Sequence, residues 1–166
     1  MNLLFIWDGA KDLPAERLEN INACLTLYPD TTYYCITRLP FFCSDKINII
    51  SWDKYEQEIS DHFKYPKTFP NLFIFTEWAR FWFLANNPNT LYIDTDVKLL
   101  QYYDYESSDK YIHTDFDINL LYSPKQGMPN LITNMEKNKT YCRLRLRDFI
   151  DGYKNPQSRD YYHHWA

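Results

Sequence analysis

Asp94 and Asp96 stand one residue apart at the end of the short apolar run Leu91 to Ile93, and this spacing carries the most chemistry in the chain. In an extended backbone, residues i and i+2 project to one side, so two carboxylates at a strand's end can converge on one cation. Magnesium and manganese suit such a place. They take oxygen ligands, commonly one or two carboxylates with water and substrate phosphate completing the shell. A diphosphate-bearing substrate is implied. Two aspartates at a strand end also mark an ordinary turn, so the surroundings decide. Upstream, Glu77 and Arg80 lie three apart in an aromatic, helix-like segment. That spacing puts them on one helical face, where they can meet a sugar and a phosphate or simply pair with each other. Trp7 closes the first apolar run just before the turn pair Asp8-Gly9, where it can pack in the core or offer its ring at the sheet's edge.

The elements that must position these residues alternate between strand and helix. Asn2 to Trp7 reads as a buried strand. Pro14 suits a helix's first turn, and Leu18, Ile21 and Leu25 follow at helical spacing before Pro29-Asp30 ends it. Thr32 to Thr37 and Ile47 to Ser51 are β-branched and aromatic, hence strands, with a Pro- and Phe-containing loop between them. Helices are expected over Asp53 to Phe63 and from about Asn71 to Ala85, the second broken by Asn86-Asn87-Pro88-Asn89. Leu91 to Ile93 then leads as a strand into the aspartates. Tyr111 to Thr114 and Asn119 to Ser123 read as further strands, and Pro129 opens a helix reaching Asn138. Cys142 to Phe149 fits strand by period and helix by propensity, and is taken as helix. The whole predicts an α/β domain with a mixed, mostly parallel sheet and helices on both faces. Ligands in such sheets bind at the carboxyl ends of strands, where Trp7-Asp8-Gly9 and Asp94-Thr95-Asp96 both lie.

Composition bounds the partners. A chain of 166 residues with 45% hydrophobic content supports one domain over residues 1–166. Fifteen tyrosines and eleven phenylalanines make any single aromatic weak evidence for a ligand, because most must serve packing. The net charge of −4 and scattered basic residues, apart from Arg143, Arg145 and Arg147, argue against nucleic acid. Cys24, Cys35, Cys43 and Cys142 are spaced too widely for a zinc knuckle, and no secretory leader precedes them. Reduced thiols in a soluble cytoplasmic protein are expected. No apolar run approaches the roughly twenty residues a membrane span needs.

Taken in order, these segments resemble the DXD-containing glycosyltransferases of family 32. That family includes capsular-polysaccharide sugar transferases and initiating mannosyltransferases, with clostridial toxin glucosyltransferases as more distant relatives. The family opens on a strand ending in tryptophan and glycine, then Leu-Pro and a helix, similar to Phe5-Ile6-Trp7-Asp8-Gly9, Leu13-Pro14 and Tyr28-Pro29. Its centre, an acidic residue three before an arginine and then Tyr-x-Asp-x-Asp, resembles Thr76-Glu77-Trp78-Ala79-Arg80-Phe81, Leu84 and Tyr92-Ile93-Asp94-Thr95-Asp96. The later Asn-bearing strand and small helix are similar to Ile118-Asn119-Leu120-Leu121 and Met128-Pro129-Asn130-Leu131, and His163-His164-Trp165-Ala166 resembles the start of the closing motif. Asn87-Pro88-Asn89-Thr90 replaces the family's Gly-Gly, Glu77 replaces its aspartate, and the final Ser-Trp is missing; the chain is also much shorter than typical members, so the resemblance is to a minimal catalytic core.

The resemblance implies a GT-A-like fold. It also implies transfer of a sugar from a nucleotide-diphosphate sugar, UDP-sugar ahead of GDP-sugar, with retention of configuration. Asp96 would bind Mn2+ or Mg2+ directly, with Asp94 on the donor ribose or the metal. Arg80 and His163 would face the diphosphate, His163 also serving as a possible metal ligand. Trp7 would stack on the base, Glu77 would accept from sugar hydroxyls, and Asn119 would orient the sugar. The acceptor stays open among glycans, proteins and modified nucleotides. An aspartate-nucleophile phosphatase is disfavoured, since its motif follows the first strand and carries a Thr where Lys98 stands. A catalytically silent nucleotide-sugar-binding or protein-interaction module on the same fold is the alternative.

Overall fold

In the computed structural model, which describes residues 1–9, 13–64, 72–113, 119–128 and 130–138, the first strand, β1 (Asn2–Trp7), is apolar from Leu3 onward because both its sides are covered. Leu4 and Ile6 enter one core cluster, while Leu3 and Phe5 enter another on the opposite face. Beside it run β2 (Thr32–Thr37), β3 (Ile47–Ser51) and β4 (Thr90–Ile93), followed by β5 (Ile112–His113) and β6 (Leu120–Ser123). The sheet order is β3-β2-β1-β4-β6-β5. The pairs β1–β2, β2–β3 and β1–β4 are parallel, and β6 runs antiparallel to both β4 and β5.

Helices cover both faces of this mixed sheet. On the Leu3/Phe5 side, α1 (Ala15–Leu27) buries Ile21 and Cys24, joined by Phe42 from the loop between β2 and β3. The other side receives α2 (Trp52–Phe63), α3 (Leu72–Asn86) and α4 (Leu131–Asn138). Phe75, Trp78, Ala79, Phe81, Trp82, Phe83 and Leu84 are all buried, so α3 is a core helix rather than an amphipathic one. Its rings interlock with α2: Trp52 and Phe75 centroids lie 4.3 Å apart, Phe63 and Trp78 4.9 Å. The abundance of aromatics is thus largely a packing feature, each fully buried Phe or Leu contributing about 1.5–3 kcal/mol.

The bounds of β1, β2 and β3 coincide with the sequence expectation, and α2 starts at Trp52 rather than Asp53. Asn71, Thr114, Ile118, Pro129 and the expected helix Cys142 to Phe149 fall outside the described residues. Where the Gly-Gly pattern is absent, Asn89 takes the left-handed conformation at φ 58°. Asparagine tolerates that region better than most side chains. Its amide is fixed there, donating to Glu106 Oε1 at 2.8 Å and accepting from the Tyr122 hydroxyl at 2.9 Å.

The connections create one place for a ligand. β1 leads through α1 to β2 on one side, whereas β4, reached by way of α2 and α3, pairs with the other side of β1. The carboxyl ends of β1 and β4 therefore flank a topological switch point, where the loops diverge and leave a crevice.

Candidate active site

A cleft of about 350 Å3 opens at that point. Trp7, Asp8 and Gly9 line it from the end of β1, Arg17 from α1, Thr76 from α3, and Asp94, Thr95 and Asp96 from the loop after β4. β4 ends at Ile93, and the Val97 amide donates to the Asp94 carbonyl at 3.0 Å. Asp94-Thr95-Asp96-Val97 is thus a β-turn rather than continued strand, and both aspartates of the turn line one cleft. The turn that two aspartates commonly mark is thus what the structure contains.

Each side of the turn is held from below. The Asp94 amide donates to the Asn119 carbonyl at 2.7 Å, so Asn119 anchors the turn through its backbone at the entry to β6. Thr95 is buried and clamped by α1: its carbonyl accepts from Asn20 Nδ2 at 3.2 Å and its hydroxyl from Arg17 Nη1 at 2.5 Å. Asp96 projects outward, 57% exposed, with Arg17 Nη2 3.6 Å from its carboxylate.

The two carboxylates differ in environment. Asp94 accepts from the Tyr92 hydroxyl, and Arg80 lies under Tyr92 with its guanidinium carbon 4.8 Å from the ring centroid. Burial raises the Asp94 carboxyl above the ordinary aspartate range, aided by the nearby Asp96 charge. The Tyr92 hydrogen bond, Arg80 and Arg17 oppose that rise. Burial also drives the Tyr92 phenol upward, keeping its proton available for donation to Asp94. Arg80 is itself buried on α3, behind Asp94, and Glu77 is buried on the same helix next to Thr76.

Trp7 lies across the turn that follows β1. A Cβ at Gly9 would fall 2.0 Å from Trp7 Cζ2, so glycine is what lets the indole lie there. The guanidinium of Arg17 sits over this ring, 5.3 Å from its centroid. Next to it, Asp8 accepts from Arg38 Nη1 at 2.6 Å, and Arg38 Nε donates to Asp53 at 3.1 Å. These bonds tie together the carboxyl ends of β1, β2 and β3.

The structure therefore brings Trp7, Asp94 and Asp96 to one cleft, with Arg80 and Asn119 supporting Asp94; His163 lies outside the described residues. Arg17, Asn20 and Thr95 were not legible as site residues from sequence. No apolar period marks them, although the structure places Asn20, three after Arg17, on the buried face of α1. Among the described residues, no group of three or more His, Cys, Asp or Glu converges as a metal cluster. The donor set present, two cleft-lining carboxylates of which one is well exposed, fits a hard divalent cation whose other ligands are water and substrate oxygens. No helix among the described residues is long and apolar enough to cross a membrane.

No family model and no curated protein matches the sequence. Solved structures do match, among them one titled "PaToxG Glycosyltransferase", at a TM-score of 0.58 and 15% identity over 89% of this chain. The chain spans 63% of the length of that structure. At this identity the likeness concerns architecture, and with the sheet order and two-sided helix layers it identifies the fold as a GT-A-like α/β fold.

Proposed function

We propose that this chain is a metal-dependent glycosyltransferase. It would move a sugar from a nucleoside-diphosphate sugar, UDP-sugar ahead of GDP-sugar, to a glycan, protein or modified-nucleotide acceptor, with retention at the anomeric carbon. One observation carries the reading: Trp7, Asp94 and Asp96, from two separate strand ends, line one cleft at the switch point of a fold shared with a glycosyltransferase structure.

In this reading Asp96, with Asp94 beside it, holds Mn2+ or Mg2+. When bound there, the cation would supply Lewis-acid neutralisation of the diphosphate leaving group. Asp94 is held ready by the Tyr92 hydroxyl and by the Asn119 carbonyl on its amide. Arg80 places a buried positive charge behind it, which favours the ionised carboxylate that a cation requires. The Trp7 ring offers a stacking face for the base, an interaction worth about 1–3 kcal/mol. The helix segment carrying Thr76, which lines the cleft, and Glu77 is assigned to the sugar hydroxyls, Asn119 to orienting the sugar, and His163 to the metal or diphosphate.

A thermal-shift and calorimetric screen of UDP- and GDP-sugars tests this, run with Mn2+ and with chelator, on the wild type and on Asp96→Ala. Binding that needs both Mn2+ and Asp96 supports the proposal. Binding indifferent to both would refute its metal-dependent part, and binding with no nucleoside diphosphate released in a parallel turnover assay would leave the silent module.

A further inference from the structure

One guanidinium in the cleft lies beside both the carboxylate that the proposed function gives to the cation and the ring that it gives to the base. Arg17 Nη1 donates to the Thr95 hydroxyl at 2.5 Å, Nη2 lies 3.6 Å from the Asp96 carboxylate, and the guanidinium carbon stands over Trp7 at 5.3 Å. Resting on the transferase reading, we propose that Arg17 is a diphosphate-binding residue. Without donor, its guanidinium holds the place of the cation beside Asp96 and of the base over Trp7. With donor, it passes to a diphosphate oxygen.

Three features support the transfer. The Arg17 side chain is 32% exposed at the cleft and can swing, unlike the buried Arg80. Its contacts are incomplete for its chemistry, because a guanidinium carries five N–H donors in a fork that matches carboxylate or phosphate in bidentate fashion. Here one hydroxyl and one carboxylate at 3.6 Å engage it. Arg17 also lies in the first turn of α1, where the helix dipole disfavours a cation unless an anion stands close. A divalent cation arriving at Asp96 would repel Arg17 from its carboxylate, and the donor's diphosphate would bring the replacement anion. A single side chain would then keep the empty cleft ordered and contribute to the filled one.

Arg17→Met, which keeps the apolar stem, and Arg17→Lys, which keeps the charge without the fork, test this against wild type. Mn2+ binding to donor-free protein is followed by electron paramagnetic resonance. UDP, GDP, uridine and guanosine are titrated by calorimetry at saturating Mn2+. Arg17→Met should bind Mn2+ about two- to fivefold more tightly, since a partly exposed competing charge is gone. It should bind whichever diphosphate the wild type takes about ten- to a hundredfold more weakly, with nucleoside binding undiminished and Arg17→Lys in between. Unchanged diphosphate affinity in both variants, with the wild type binding normally, would overturn the role of Arg17 and leave the transferase reading standing. Equal weakening of nucleoside and diphosphate alongside a lowered unfolding temperature would make Arg17 merely structural and also overturn it. A wild type that binds neither nucleotide with Mn2+ would overturn both proposals.

Discussion

Replacing Asn20 by alanine should loosen the Asp94–Val97 turn from behind. Asn20 is 3% exposed, and its amide donates at 3.2 Å to the carbonyl of Thr95, itself 3% exposed. Removing the donor forfeits a hydrogen bond with a net value of about 0.5–1.5 kcal/mol and leaves a buried carbonyl unsatisfied, so the total loss is about 1–3 kcal/mol. Arg17 still holds the Thr95 hydroxyl, which keeps the loss below a full collapse of the turn. For a domain of this size, that corresponds to a fall of roughly 3–10 °C in unfolding temperature. Urea unfolding with linear extrapolation reads the stability, and Mn2+-dependent nucleotide titration reads the site. Glu19→Ala on the exposed side of the same helix, whose carboxylate is 4.0 Å from Lys98, serves as control and should change stability by less than about 0.5 kcal/mol. An Asn20→Ala protein as stable as the wild type would refute the reasoning. So would one that loses stability yet binds Mn2+ and nucleotide unchanged, because α1 would then not set the turn's geometry.

Two further substitutions report on the fold, one beside the cleft and one at the opposite end of the sheet. Gly9→Ala would place a methyl group 2.0 Å from Trp7 Cζ2 and must displace the indole. It should alter near-ultraviolet circular dichroism, cost about 1–3 kcal/mol, and weaken nucleotide binding; an unchanged tryptophan signal would contradict the packing. Glu106 is held below the ordinary glutamate range by the Asn89 hydrogen bond, and further by the Met1 amino group and Lys125. A depressed folded-state pKa contributes stability that is present above the unfolded value and lost as pH falls through the folded one. The stability gap between wild type and Glu106→Gln should therefore be open near neutral pH and close as pH drops below about 4. A gap that widened in acid would reverse the sign and defeat the assignment.

Much of the fold was legible because its signals are local. β1, β2 and β3 are β-branched or apolar runs with clear turn residues at their ends, and the structure reproduces their bounds. The carboxylate pair was legible because two residues one apart in sequence stay close under almost any local geometry, whether strand or turn. The inner face of α1 was not. Leu18, Ile21 and Leu25 predict it by spacing, yet Leu18 is 37% exposed while Asn20, Ile21 and Cys24 are buried. An apolar period cannot show that a polar side chain is turned inward to satisfy a distant carbonyl. Arg17 was hidden for the same reason. Its partner Thr95 lies 78 residues away, and only the parallel pairing of β1 with β4 brings the two together. Arg80, expected at the diphosphate, sits buried behind Asp94, because α3 is apolar on nearly all sides and packs deep in the core.

Release of UDP or GDP from the matching nucleotide sugars with Mn2+ present, in the wild type and in Asp96→Ala, asks whether this cleft works as a metal-dependent transferase site. The Asp96 side chain is 57% exposed, so the substitution should leave the fold intact. Nucleoside diphosphate release that depends on Mn2+, stops in chelator and is abolished in a folded Asp96→Ala protein is the predicted result. Undiminished release in chelator or in the variant would mean that no cation held by Asp96 takes part in the reaction.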